Sequence, residues 1–166
     1  MKRSLYALLF ALAGCATDPT EVMLVVDGDF DVPTEVDSLE ITVTTPDGLR
    51  SKTATAPLDA ANGFPRILGI VRGDGGDGDY LVTVVAKRGL SNVVTRRASF
   101  VFRKEEIRRL EVHLLPACQG VVCSGSDRTC GEAGICERIQ TDTEEWTGPT
   151  PSEFDAGMSI GPIVGP

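Results

Sequence analysis

Four cysteines crowd one short stretch, Cys118, Cys123, Cys130 and Cys136, separated by four, six and five residues. Thiolates in such a group have two uses: they oxidise in pairs, or they share a tetrahedral metal. Zinc sites usually bring their cysteines as close CxxC pairs, and no such pair occurs here. The segment from Pro116 to Glu137 is also too short to hold a hydrophobic core, so bridges would have to staple it. Four cysteines allow three pairings. Catalysis by a free thiolate would need a neighbouring base, and the single histidine, His113, lies in an alternating strand pattern elsewhere.

Carboxylates form two clusters. Asp27-Gly28-Asp29-Phe30-Asp31 sets oxygens at alternating positions, as the opening of a calcium loop does. The later positions of such a loop call for glycine and glutamate, and here they are Val32 and Ser38. The cluster then reads equally as a solvated strand end. Asp74, Asp77 and Asp79 alternate with glycines in Gly73–Asp79. That stretch resembles one copy of the glycine–aspartate repeats that bind calcium, which work stacked. These three aspartates are calcium candidates, alone or joined with the first cluster, and the alternative is a hairpin loop.

Basic residues gather late, as Arg96, Arg97, Arg103, Lys104, Arg108 and Arg109, with Glu105, Glu106 and Glu111 among them. An acidic glycan or lipopolysaccharide is the ligand such a group could take. Charge on sheet edges, which deters edge pairing, is the plainer alternative. Trp146 is the only tryptophan and lies in an acidic stretch. A P-loop, Gly-x-Ser-x-Gly, His-Glu-x-x-His and Ser-x-x-Lys are all absent from the sequence.

The elements that must position these groups are strands. Val22–Val26 is a continuous apolar run. Leu39, Ile41 and Val43 alternate with Glu40, Thr42 and Thr44, the signature of a half-buried strand. Pro46-Asp47-Gly48 supplies turn chemistry, and Arg50–Ala56 follows as its hairpin partner. Further strands are expected at Ile67–Val71, Tyr80–Ala86, Asn92–Phe102 and Leu110–Leu114. Seven short strands over residues 22–115, punctuated by turns, predict an all-β sandwich. They resemble an immunoglobulin-like or transthyretin-like sandwich in architecture, without the immunoglobulin disulfide. Residues 138–166 lack periodicity and are expected to be disordered.

The N-terminus carries a different signal. Lys2 and Arg3 precede an apolar stretch from Leu5 to Ala13, the layout of a secretory signal peptide and too short for a span of roughly 20 residues. Leu12-Ala13-Gly14-Cys15 resembles the lipobox of bacterial lipoproteins. The resemblance implies cleavage before Cys15 and acylation of that cysteine, palmitate included. It also implies a tether over residues 15–21, and outer-membrane sorting because Ala16 rather than aspartate follows the cysteine. Each buried CH₂ contributes about 0.8 kcal/mol, so several chains on one residue anchor stably.

An exported chain is also oxidised, which favours disulfides over zinc for the other four cysteines. Their spacing resembles small EGF-like or cysteine-knuckle segments. That resemblance implies crossed pairing, Cys118–Cys130 with Cys123–Cys136.

The full chain has 16 Lys and Arg against 24 Asp and Glu, a net charge of −8. Such a protein is a poor ligand for nucleic acid. The expectation is a lipid-anchored envelope protein without catalytic activity, serving as a structural, adhesive or accessory subunit. Its partner would be another envelope protein or a glycan. The alternative is a calcium- or glycan-binding module that uses the aspartate loops or the basic cluster.

Overall fold

The computed structural model describes residues 20–139, 142–149 and the backbone of 159–160. The expected signal peptide and lipobox fall in residues that lie outside the described ones. Seven main strands run in order: β1 (Glu21–Gly28), β2 (Ser38–Thr44), β3 (Ser51–Pro57), β4 (Arg66–Val71), β5 (Tyr80–Arg88), β6 (Ser91–Phe100) and β7 (Ile107–Leu114). Four short strands follow: β8 (Arg128–Cys130), β9 (Cys136–Arg138), β10 (Glu144–Glu145) and β11 (Ser159–Ile160).

Two sheets face one another. One has the order β10-β7-β1-β4-β11, the other β3-β2-β5-β6. The fold is the all-β sandwich its alternation predicts. An immunoglobulin sandwich would set its first, second, fourth and fifth strands in one sheet. Here β1 and β2 lie in different sheets, so the strand order is not the immunoglobulin one. β1 pairs antiparallel with β4 and parallel with β7.

Leu39, Ile41 and Val43 point inward from β2 and are fully buried, while Glu40 and Thr42 look out. They meet Val22, Leu24 and Val26 of β1 and Leu110, Val112 and Leu114 of β7 in one core. Tyr80, Phe100 and Phe102 close it at one end, with ring centroids 4.9 to 5.6 Å apart. Successive connections alternate between the two ends of the sandwich. One end carries Thr20 and the turns 45–50, 72–79 and 101–106; the other carries the loops 29–37, 58–65 and the β5–β6 turn. At the β2–β3 turn the Gly48 amide donates to the Thr45 carbonyl at 2.9 Å, and Gly48 takes a φ of 70°, which glycine accepts without steric cost.

Two short pieces of the tail, among its described residues, pair with the sheet. Glu144–Glu145 adds to the β7 edge opposite Arg109 and Arg108, and Ser159–Ile160 adds to the β4 edge opposite Gly69 and Ile70. Composition counts only the apolar surface a segment can bury. It misses the unpaired N–H and C=O groups that an open sheet edge offers to a nearby chain.

Candidate functional site

The cysteine-rich segment is a lid on the sandwich. A 3-10 turn at Pro116–Cys118 leaves β7 directly, and the Gly120 amide then donates to the Val93 carbonyl of β6 at 3.2 Å. The bridges are Cys118–Cys130 and Cys123–Cys136, the crossed arrangement the resemblance implied. Both sulfur-bearing residues of the first bridge are buried and belong to the sandwich core. Gly134 lies in the turn from β8 to β9: its φ is 72°, and a Cβ there would stand 2.5 Å from the Ala117 carbonyl oxygen.

Two arginines of β6 hold the lid down. Arg96 lies on the inner side of the sheet opposite Val84, and its side chain is only 18% exposed. Its guanidinium donates to the His113 carbonyl at 2.8 Å and sits 3.6 Å from the Glu137 carboxylate. Burial pulls its pKa below the usual arginine value, and Glu137 and Glu132 oppose that shift. Arg97 meets the lid on the outer side. Its amide donates to Thr129 Oγ1 at 2.8 Å, and its guanidinium donates to the carbonyls of Gly125 and Arg128 at 3.0 and 3.3 Å.

Between β6 and β7, under this lid, lies a cleft of about 240 Å³ that includes Arg96, Arg97 and Arg109 beside Glu111, Glu137 and Glu144. Its lining carries both signs of charge, so it presents no single-sign field to an anion. Three further residues of the cluster also meet groups of the chain itself. Arg108 bonds the Thr143 carbonyl and lies 3.5 Å from Glu106; Arg109 pairs with Glu111; Lys104 meets Glu105 at 3.2 Å. Within the late basic cluster Arg96 and Arg97 join β6 to β7 and the lid, and Arg108 joins β7 to the tail.

The two aspartate clusters lie at opposite ends of the sandwich, so the fold does not bring them to a shared ion. Asp77 pairs with Arg72 at 2.5 Å, and the Asp74 carbonyl takes a bond from Arg50 at 2.8 Å. The loop is packed as well: the Tyr80 hydroxyl donates to the Gly76 carbonyl at 3.0 Å, and a Cβ on Gly75 would collide with that hydroxyl oxygen. Burial raises the Tyr80 pKa. At the other end the Asp31 amide and carbonyl are tied into a turn with Glu35. Among the described residues no group of three or more His, Cys, Asp or Glu side chains is placed to hold a metal ion.

His113, which showed no partner in the sequence, has two. Its Nε2 lies 3.0 Å from Asp29 Oδ2 and its Nδ1 3.9 Å from Asp27 Oδ2. The parallel register of β1 on β7 sets Asp27 directly opposite His113, and only that long-range pairing reveals the contact. The two carboxylates address opposite edges of the ring, so they clamp the imidazole and do not converge with it on one point. Comparison with protein-family models, with curated proteins and with solved structures gave no match.

Proposed function

We propose that this is a lipid-anchored protein of a bacterial cell envelope, held through Cys15. It performs no catalysis and serves as a structural, adhesive or accessory subunit of that envelope.

The observation that carries this is the Cys118–Cys130 bridge, whose two residues are part of the sandwich core. A core that includes a disulfide belongs to an oxidising compartment, outside the cytoplasm. The Leu12–Cys15 segment supplies the matching export and acylation signal, and Ala16 favours the outer membrane. Four of the arginines that could have gripped an anionic substrate, Arg96, Arg97, Arg108 and Arg109, meet carbonyls and carboxylates of the chain itself.

The test is the intact mass of the membrane-extracted protein, before and after reduction and alkylation. The expected result is loss of residues 1–14, added acyl mass at Cys15, and four cysteines that alkylate only after reduction. An unacylated N-terminus, or thiols that alkylate without reductant, overturns the proposal. On the same reading millimolar calcium leaves the melting temperature unchanged; a clear stabilising shift would instead support a calcium-binding module.

A further inference from the structure

The chain enters the sandwich at one end, and its entry point is fixed. The Thr20 carbonyl accepts from the Arg72 amide at 3.4 Å, and the Glu21 amide donates to the Glu106 carbonyl at 3.2 Å. Thr20 Oγ1 accepts from the Glu105 amide at 3.0 Å. The β2–β3 turn stands at this same end, since Arg50 donates to the Asp74 carbonyl in the adjoining 72–79 loop. At its tip Leu49 is 84% exposed. The β5–β6 turn stands at the far end, where the Gly89 amide donates to Asp37 Oδ2 at 2.6 Å. There Leu90 is fully exposed.

Only residues 16–19 separate Cys15 from Thr20. Fully extended, that distance is at most about 18 Å, at roughly 3.6 Å per residue. The eight residues of β1 alone span about 25 Å, at roughly 3.3 Å each. The tether is therefore shorter than the sandwich.

We propose that the sandwich stands on the bilayer by the end that carries Thr20, with Leu49 toward the lipid headgroups, and turns Leu90 and the His113–Asp29 pair to the aqueous space. This rests on the lipid anchor proposed above. Reach sets the orientation and charge does not: Lys104 at the anchored end is paired with Glu105, and Asp47, Asp74, Asp77 and Asp79 share that end with Arg50, Arg72 and Arg103. The far end is the surface left open to an envelope partner.

The experiment uses the full-length acylated protein in vesicles of phosphatidylethanolamine and phosphatidylglycerol that contain a headgroup-level quencher lipid. Trp146→Phe removes the one native tryptophan, and Leu49→Trp or Leu90→Trp then places a single probe at either end. Quenching at position 49 is expected to exceed that at position 90 several-fold, and to persist at about 0.5 M salt, where exposed charges are screened. Equal quenching, or more at position 90, overturns the proposal. Flotation separates the two failures. A protein that floats without a difference between the probes refutes the orientation alone, whereas one that does not float refutes the anchor and the orientation with it.

Hydrogen exchange on the unsubstituted protein gives a check independent of the variants. Vesicle binding should protect residues 45–50 and 101–106 and leave 88–91 unchanged; protection at 88–91 overturns the proposal. A flexible insert of about 20 Gly and Ser residues after Ala16, with a root-mean-square span of roughly 25 Å, should abolish the difference between the probes. Its survival would refute tether length as the cause.

Discussion

Between Val22 and Leu114 the chain is held by what it hides: Leu24, Leu39, Ile41, Leu68 and Ile70 are shut away from solvent between two sheets. Between Cys118 and Arg138 residues as apolar as Val122 and Ile135 stand mostly in water. Two covalent bridges and a row of arginine contacts hold that segment in place. One region gathers its hydrophobic residues into a core; the other has too few and relies on crosslinks and on the sandwich beneath it. The Cys118–Cys130 bridge belongs to both regions, which is why the lid is continuous with the fold.

The sharpest way to break this comparison is at the core. Ile41→Ala removes a fully buried side chain and should cost about 2–5 kcal/mol, measured by urea denaturation. The same truncation at exposed Val122 should change stability by less than about 0.5 kcal/mol. Similar losses at both sites would mean that the lid has a core of its own.

The two bridges make a finer test. They close loops of nearly equal length, with separations of 12 and 13 residues, so the chain-entropy contribution is about 3 kcal/mol for each. The first is buried, and the second includes a half-exposed Cys123. Replacing Cys118 and Cys130 with alanine should therefore destabilise more than replacing Cys123 and Cys136. Equal losses would remove burial as the distinguishing factor.

Arg96→Ala comes next. It strips a charged hydrogen-bond donor from the His113 carbonyl and an ion-pair partner from Glu137, and a hydrogen bond to a charged group contributes about 1.5–3 kcal/mol. Hydrogen exchange should quicken across residues 118–138 and leave β2 and β5 protected. Uniform loosening of both sheets would show that Arg96 supports the core itself and not only the lid.

The smallest effect is with pH. Hydrogen bonds from the Gly89 amide and Ser38 hold the Asp37 carboxyl below its usual pKa, and those from Thr45 and the Leu49 amide do the same for Asp47. Groups depressed in the folded state contribute stability above the unfolded carboxylate value of about 3.9 and lose it as pH falls through the folded value. Glu21 has the opposite sign, because burial raises its pKa; it favours the fold at low pH and opposes it as pH rises through that raised value. Glu21→Gln should thus raise the melting temperature at pH 7, and the gain should shrink toward pH 4. Asp37→Asn should lower it at pH 7, and the loss should shrink as pH falls below about 3.9. A thermal melt series across pH 3 to 8 decides both.

Much of the sandwich is legible in the sequence because its signals are local. The alternation of Leu39, Ile41 and Val43, the unbroken run Val22–Val26 and the Pro46-Asp47-Gly48 turn each depend on a few neighbouring residues, and each forms the expected element. Polar groups are less legible. Arg96 is an exposed edge charge when the strand is considered alone. Its side chain proves only 18% exposed because it lies on the inner face of β6 and the lid folds over that edge of the sheet. The tail strands escape composition for the same reason, since they exist only where the β7 and β4 edges stand open to receive them.

Residue order by itself determined that this chain would be built from about seven strands, and it marked four cysteines apart from them. Periodicity and turn chemistry act over roughly two to four residues and need no knowledge of the rest of the chain. The tertiary structure alone decided which strands share a sheet, that β1 runs parallel to β7, that His113 meets Asp27 and Asp29, and that the arginines face carbonyls and carboxylates of their own chain. Each of those is a contact between residues far apart in sequence. Such contacts form only when a whole sheet finds its register, because one residue of slip would send every inward side chain to the solvent.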